Sequence, residues 1–321
     1  MSIFAAVPAA SNGTVVVSPV NPNATVPESI DELSPYGYVP TQWICILFIV
    51  LYGVTTGIHA IQAIWSRLWW LFPTPVLAGI IEIIGWSGRL WSSISPTLLD
   101  PYLMQIVTTI IAPTPLIAAN FVILGQIIRR LGQQYSRLSA MWYTVIFCSC
   151  DIIALVVQAV GGAKAATAVQ DNQDPNPGGN IMLGGIAFQL AAVSIYLVLA
   201  TEFLLRYHYD KPFHRKSESI MPKSFALDWG VKLMIVGLAF DGVFILIRSI
   251  YRTIELSDGW SGRIIETQVY FNVLDGAMIV LAMFTVNLFH PGLLLGKADR
   301  WNAKSPSEAD SENPDMKQHK S

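Results

Sequence analysis

Seven long apolar runs organise the chain, at about 43–64, 70–91, 102–127, 140–162, 181–205, 230–251 and 269–293. Each approaches the twenty or so residues that an α-helix needs to cross the hydrocarbon core of a bilayer. Lipid offers no partner to an unpaired backbone amide, so runs of this length are read as helices. The pattern predicts an all-α integral membrane protein, a seven-transmembrane helix bundle. The flanks differ. Residues 1–35 are rich in Pro, Ser, Asn, Val and Thr without helical period, and residues 297–321 are polar and aperiodic. Both are expected to be disordered, leaving 36–296 as the membrane domain.

Polar positions inside these runs carry the most information. Span two holds Glu82 and, seven residues on, Arg89; span four holds Asp151 and Gln158; span six holds Asp241 and Arg248. Seven residues turn about 700°, some 20° short of two full turns, so each pair shares a helix face about 10 Å apart along the axis. Span six continues the face outward through Arg252 and Glu255. Gln105, Gln189 and Asp275 add polar groups in spans three, five and seven. A charge at a helix centre costs roughly 2.5–3.5 kcal/mol, so such residues face the bundle interior and pair with one another or line a wet cavity. One polar layer is expected, acidic at mid-depth and mixed with cations above. Arg89 and Arg248 are expected to neutralise acids on neighbouring helices if the layer only fixes packing. The layer instead binds substrate or relays protons if the excess of acid over arginine is functional. Excess acid suits a cationic head group or an exchangeable proton.

Composition agrees with the pattern. Charged residues make up 13% of the 321, about half the usual share, and hydrophobic ones 53%. That is too few charges to wet a soluble surface. No basic domain exists, so nucleic acid is not an expected partner. Charge placement sets orientation. With the N-terminus outside, the inner side receives Arg67, Arg129, Arg130, Arg137, Arg206, Lys211, Arg215, Lys216, Lys223, Lys232 and the five basic residues of the tail. The outer side receives Arg89, Lys164, Arg248, Arg252 and Arg263. This threefold bias predicts an extracellular or lumenal N-terminus and a cytoplasmic C-terminus. Two glycosylation acceptor triplets, at Asn12 and Asn23, fall in the same exposed arm and agree with it.

Other features narrow the chemistry. Cys45, Cys148 and Cys150 lie inside apolar runs and are expected to act as small hydrophobes. Tyr36, Tyr38, Trp43, Trp65, Trp69, Trp70, Trp86 and Trp91 cluster at span ends and read as an interfacial aromatic belt. Pro113 and Pro115 remove two backbone donors within span three, so a kink and a candidate hinge are expected there. The pairs Gly161-Gly162 and Gly184-Gly185 are expected to permit close helix approach. No phosphate-binding loop occurs, and His and acidic residues are not grouped at one depth as a zinc hydrolase would need. No cofactor, no metal and no enzyme activity are therefore expected.

These residues in order resemble the fungal RTA-like proteins, the lipid-translocating exporters. The resemblance runs from Tyr38-Val39-Pro40 through Glu82-Ile-Ile-Gly-Trp-Ser-Gly-Arg89, Gln105, Ala112-Pro113, Asp151 with Gln158, and Gly184-Gly185 with Gln189. It ends in Arg248-x3-Arg252-x2-Glu255 and Asp275. This chain has Gln268 and Asn272 where the family often has an acid and an aromatic. The resemblance implies a multipass plasma-membrane protein, with vacuolar or endoplasmic reticulum membrane as alternatives. It implies transport of or resistance to membrane lipids and amphiphilic small molecules such as sphingoid bases or sterol amines. The alternative is a seven-transmembrane lipid-responsive receptor.

Overall fold

The computed structural model describes residues 34–171, 173–213, 228–259 and 262–296. The acceptor residues Asn12 and Asn23, most of the N-terminal arm and the tail from 297 lie outside the described residues. Seven helices are long and apolar enough to span a membrane. They are α1 Gln42–Ser66, α2 Trp69–Ile94, α3 Leu99–Leu131, α4 Ala140–Gln170, α5 Asn176–His208, α6 Trp229–Ser257 and α7 Gln268–Leu294. The helices outrun the apolar windows, most visibly α3, α4 and α5. Hydrogen bonding continues past the hydrocarbon boundary for as long as no residue breaks it. The chain is a multi-pass membrane protein, and exposed Ile46, Val50, Ile61, Ile152, Val156, Val198 and Phe240 make its outer wall.

Local chemistry ends and breaks the helices. α1 closes on Arg67, held in the left-handed region at φ 56°, while the Leu68 amide donates to the Ala63 carbonyl. This closure satisfies an orphan carbonyl at the helix end. α3 breaks at Ala112 into Leu99–Ile111 and Pro113–Leu131, because Pro113 and Pro115 lack the amides that would continue the ladder. Two wide π turns interrupt other spans: Phe72–Val76, containing Pro73 and Pro75, in α2, and Phe271–Ala277 in α7.

α4 and α5 run antiparallel in close contact. A Cβ on Gly161 would lie 2.4 Å from the Met182 amide nitrogen, one on Gly178 2.4 Å from that of Ala165, and one on Gly185 3.0 Å from the Ala154 carbonyl oxygen. At the far end of the same register Phe147 meets Tyr196 with ring centroids 5.5 Å apart. Only one glycine of each expected pair is needed for this approach. Gly184 faces open space and Gly162 meets nothing closer than the Met182 sulfur at 3.6 Å.

α1 and α7 are joined by a polar seam. The Tyr52 hydroxyl donates to Gly276 O (2.9 Å), Gln62 Nε2 donates to Asn287 O (2.9 Å), and His59 Nε2 lies 3.1 Å from Met283 O. Asn287 Nδ2 donates to Thr55 Oγ1. Between α1, α2 and α7 the Trp86 indole is fully buried, stacked on Phe48 at 4.0 Å.

Candidate functional site

All eleven polar residues singled out inside the spans are buried, none more than 5% exposed. They do not form one network. Their hydrogen bonds sort them into an arginine-containing cluster toward the N-terminal face and two carboxyl groups away from it.

The cluster is built on α6, whose spacing of four and three residues aligns Arg248, Arg252 and Glu255. Asp275 enters from the π turn of α7. Arg248 Nε donates to Asp275 Oδ1 at 2.8 Å, and Arg252 donates to both Asp275 oxygens at 2.8 Å. Arg252 NH1 also donates to Glu255 Oε2 at 3.0 Å, and the Tyr251 hydroxyl donates to Glu255 Oε1 at 2.8 Å. From α3, the Thr109 carbonyl accepts from Arg248 (2.7 Å) and its hydroxyl oxygen from Arg252 (3.0 Å), while Gln105 Nε2 reaches the same hydroxyl oxygen at 3.3 Å. One carboxylate thus serves two guanidinium groups and a second completes the neutralisation. Glu82 lies within electrostatic reach of Asp275, Arg248 and Arg252, yet forms no ion pair among the described residues.

Arg89 departs from expectation. It pairs with no acid among the described residues. Its guanidinium sits 4.4 Å from the Phe271 ring centroid, 5.0 Å from Tyr36, 5.6 Å from Tyr38 and 5.7 Å from Trp86, and it donates to the Tyr38 hydroxyl at 2.6 Å. Aromatic faces carry partial negative charge, so a desolvated guanidinium gains from each. Tyr36, Tyr38 and Trp86 are therefore not part of the interfacial belt; Trp43, Trp65, Trp69 and Trp91 do remain exposed. The segment bearing the two tyrosines folds over this end of the bundle as a strap. Ser34 Oγ donates to Tyr38 O (2.9 Å) across a turn with Gly37 at φ 73°, so Ser34 and Pro35 already belong to the folded unit. Burial pushes the Tyr36 phenol up to about 12, against the downward pull of nearby Arg89. Beneath the strap a cavity of about 30 Å³ is lined by Tyr38, Arg89, Tyr102, Gln105, Arg252 and Glu255. That is room for water, not for a lipid.

The other two acids stand apart from any cation among the described residues. Asp241 Oδ2 accepts from Asn120 Nδ2, and its Oδ1 has no hydrogen-bond partner among the described residues. The backbone carbonyl of Asn120 accepts from the Tyr196 hydroxyl at 3.2 Å. Asp151 sits beside Gln189 with Oδ2 unpartnered. Gln158 Nε2 donates to Gln189 Oε1 at 3.1 Å, and Gln189 Nε2 to Thr114 Oγ1 at 3.3 Å, next to the proline break. No charged side chain among the described residues lies near enough to act on either carboxyl. Among the described residues no group of His, Cys, Asp and Glu is placed to hold a metal ion.

Residues 75–298 match the model of the family described as RTA1 like protein. The chain belongs to that family. Among its relatives in Saccharomyces cerevisiae, the sphingoid long-chain base transporter RSB1 is 31% identical over 285 residues, covering 80% of this chain and 73% of the relative. Protein RTA1 is 26% identical, covering 65% and 62%, and protein RTM1 is 24% identical, covering 80% and 92%. No solved structure matches.

The RTA1-like match takes in all eleven inner polar residues, while Tyr38, the hydroxyl partner of Arg89, lies before the matched segment begins. Sequence reasoning missed Asn120, Thr109 and the α1–α7 seam. Asn120 had a usable signal, a lone amide within the apolar stretch Leu116–Leu124. The seam had one as well, since Tyr52, Thr55, His59, Gln62 and Ser66 recur at helical spacing along one face of α1.

Proposed function

We propose that this RTA1-like protein translocates or exports long-chain amphiphiles with a cationic head, of the sphingoid-base or sterol-amine type, and so confers resistance to them. The observation that carries the reading is the isolation of Asp151 and Asp241. Each is buried with an unpartnered oxygen, while Arg248 and Arg252 are already satisfied by Asp275 and Glu255. A carboxyl without a cation in a low-dielectric interior either holds a proton or takes up a positive ligand. An amine head and a proton then compete for the same oxygens, with Asn120, Gln158 and Gln189 supplying neutral hydrogen bonds. The relative RSB1, a sphingoid long-chain base transporter, supports the same ligand chemistry. Glu82 is the third acid of this path, and Gln105, Arg89, Arg248, Arg252, Glu255 and Asp275 form its closed outer end. The small cavity means that passage requires the bundle to open, and the break before Pro113 and Pro115 is the proposed hinge. The N-terminus faces outward, with Asn12 and Asn23 glycosylated, and the working location is the plasma membrane.

Flux of a labelled long-chain base into proteoliposomes, with and without a pH gradient, tests this. Asp151→Asn, Asp241→Asn and Glu82→Gln are expected to abolish flux while the amount of folded protein is unchanged. Undiminished flux in all three variants would overturn the proposal. The closed outer end favours one second reading, a lipid-responsive receptor. Deleting residues 305–321 separates the two, because a receptor loses its coupling tail and a translocator keeps its flux.

A further inference from the structure

An open groove of about 610 Å³ runs along the lipid-facing flank of α5, at the end of the bundle opposite the strap. Leu197, Val198 and Leu205 give it an apolar floor, and Arg206, Tyr209 and Lys211 a polar rim. The rim is fixed by local geometry. Asp210 adopts φ 55°, the left-handed region that a short polar side chain tolerates. The turn brings the Lys211 amide back to donate to the Arg206 carbonyl at 3.0 Å. Two residues on, the Phe213 amide donates to Gln134 O at 2.9 Å, tying the segment to the connection between α3 and α4. Lys211 is thus held beside the groove rather than trailing from it.

The charges here are unevenly committed. Both oxygens of Glu202 are taken, by Arg137 at 2.6 and 2.8 Å and by Arg206 at 2.8 Å. Phe213 covers the Arg206 guanidinium at 3.8 Å. Lys211 is exposed and makes no ion pair among the described residues. Arg137, Arg206 and Lys211 against Glu202 and Asp210 leave one positive charge at the rim. We infer that this groove binds an anionic glycerophospholipid, with an acyl chain along Leu197, Val198 and Leu205 and the head group at Lys211. A cationic long-chain base is repelled by the same rim, so this site is distinct from the proposed transport path. The basic-residue count assigns this end to the cytoplasm, the side on which anionic lipids concentrate.

Native mass spectrometry of the protein released from nanodiscs of equimolar phosphatidylcholine and phosphatidylserine tests the inference. The native protein is expected to retain phosphatidylserine preferentially. Lys211→Gln lowers the serine-to-choline lipid ratio about fivefold, the effect of one basic residue near a lipid surface, and Lys211→Arg keeps it. Val198→Trp, which fills the floor, lowers retention of both lipids. Equal retention of the two lipids by the native protein overturns the inference whatever the variants do. So does an unchanged ratio in Lys211→Gln, or displacement of the lipid by glycerophosphoserine, which has no chains.

Discussion

Asp275 is the residue whose loss the structure makes most consequential for stability. Its two oxygens accept three hydrogen bonds of 2.8 Å from Arg248 and Arg252, and all three side chains are nearly inaccessible. Asp275→Asn keeps the size and removes the charge. Arg252 retains Glu255, but Arg248 is left with only the Thr109 carbonyl, and the group acquires one uncompensated positive charge. Breaking a buried ion pair from one side costs about 3–5 kcal/mol. At about 2–4 °C per kcal/mol for a chain of this order of size, the melting temperature should fall by about 6–20 °C. Thermal unfolding of detergent-purified protein, followed by size-exclusion fluorescence, reads this directly.

The cost is one of imbalance, so removing the second charge should relieve it. Arg248→Met alone leaves Arg252 facing two carboxylates and should lose a similar amount. Arg248→Met with Asp275→Asn leaves one arginine and one glutamate, and replacing a buried pair together is often close to neutral. The double variant is expected within about 2 kcal/mol of the native protein. If its loss instead equals the sum of the two singles, the pairing contributes nothing and the reasoning fails. A shift under 2 °C for Asp275→Asn alone would refute it as well.

Two further outcomes follow from the same geometry. Gly161→Ala puts a methyl 2.4 Å from the Met182 nitrogen and should cost about 1–3 kcal/mol by prising α4 from α5. Gly184→Ala, which meets nothing, should melt within a degree or two of native in the same assay. Tyr36 has its pKa raised to about 12 by burial, so folding favours its neutral phenol. The sign is that of a raised pKa: the contribution is complete below the unfolded value near 10 and is lost as pH rises through about 12. Phenolate absorbance of native protein minus that of Tyr36→Phe should therefore show its step near pH 12, and a step near 10 would contradict the buried placement.

The spans were legible because lipid imposes a length and a composition on every crossing, and the inner polar residues because each is costly there. Seven-residue spacing correctly kept Glu82 and Arg89, Asp151 and Gln158, and Asp241 and Arg248 buried. What spacing could not supply was the partner. Helix faces say which way a side chain points, not which neighbouring helix stands opposite. So Arg89 was expected to meet a carboxylate and instead meets Tyr38 and three further rings. The π turn at Phe271–Ala277 was also invisible, since no residue type demands it. That turn resets the phase of α7 just where Asp275 must face Arg248 and Gly276 must pass beneath Trp86, where a Cβ would lie 2.5 Å from the indole. Asn120 and Gln62 differ from Gln158, which stands seven residues from an acid on its own helix: neither has such a companion, and their value is set by what they touch on other helices.

The division of the inner polar residues has a consequence for how the bundle can work. In a low-dielectric interior a saturated ion cluster resists change, since parting any pair exposes two desolvated charges at once. Arg248, Arg252, Glu255 and Asp275 therefore act as a fixed clamp tying α6 to α7, with Thr109 bringing in the first half of α3. Past the break at Ala112, the second half of α3 carries Thr114, which accepts from Gln189, and Asn120, which donates to Asp241 itself. The proline break thus separates a segment bound to the clamp from one bound to Asp241 and Gln189. On the proposed function, a change in charge at Asp241 or Asp151, by proton or by amine, acts on this second segment and leaves the clamp intact. On that reading, movement at the proposed hinge lets that charge alter the bundle without first dismantling the ion cluster.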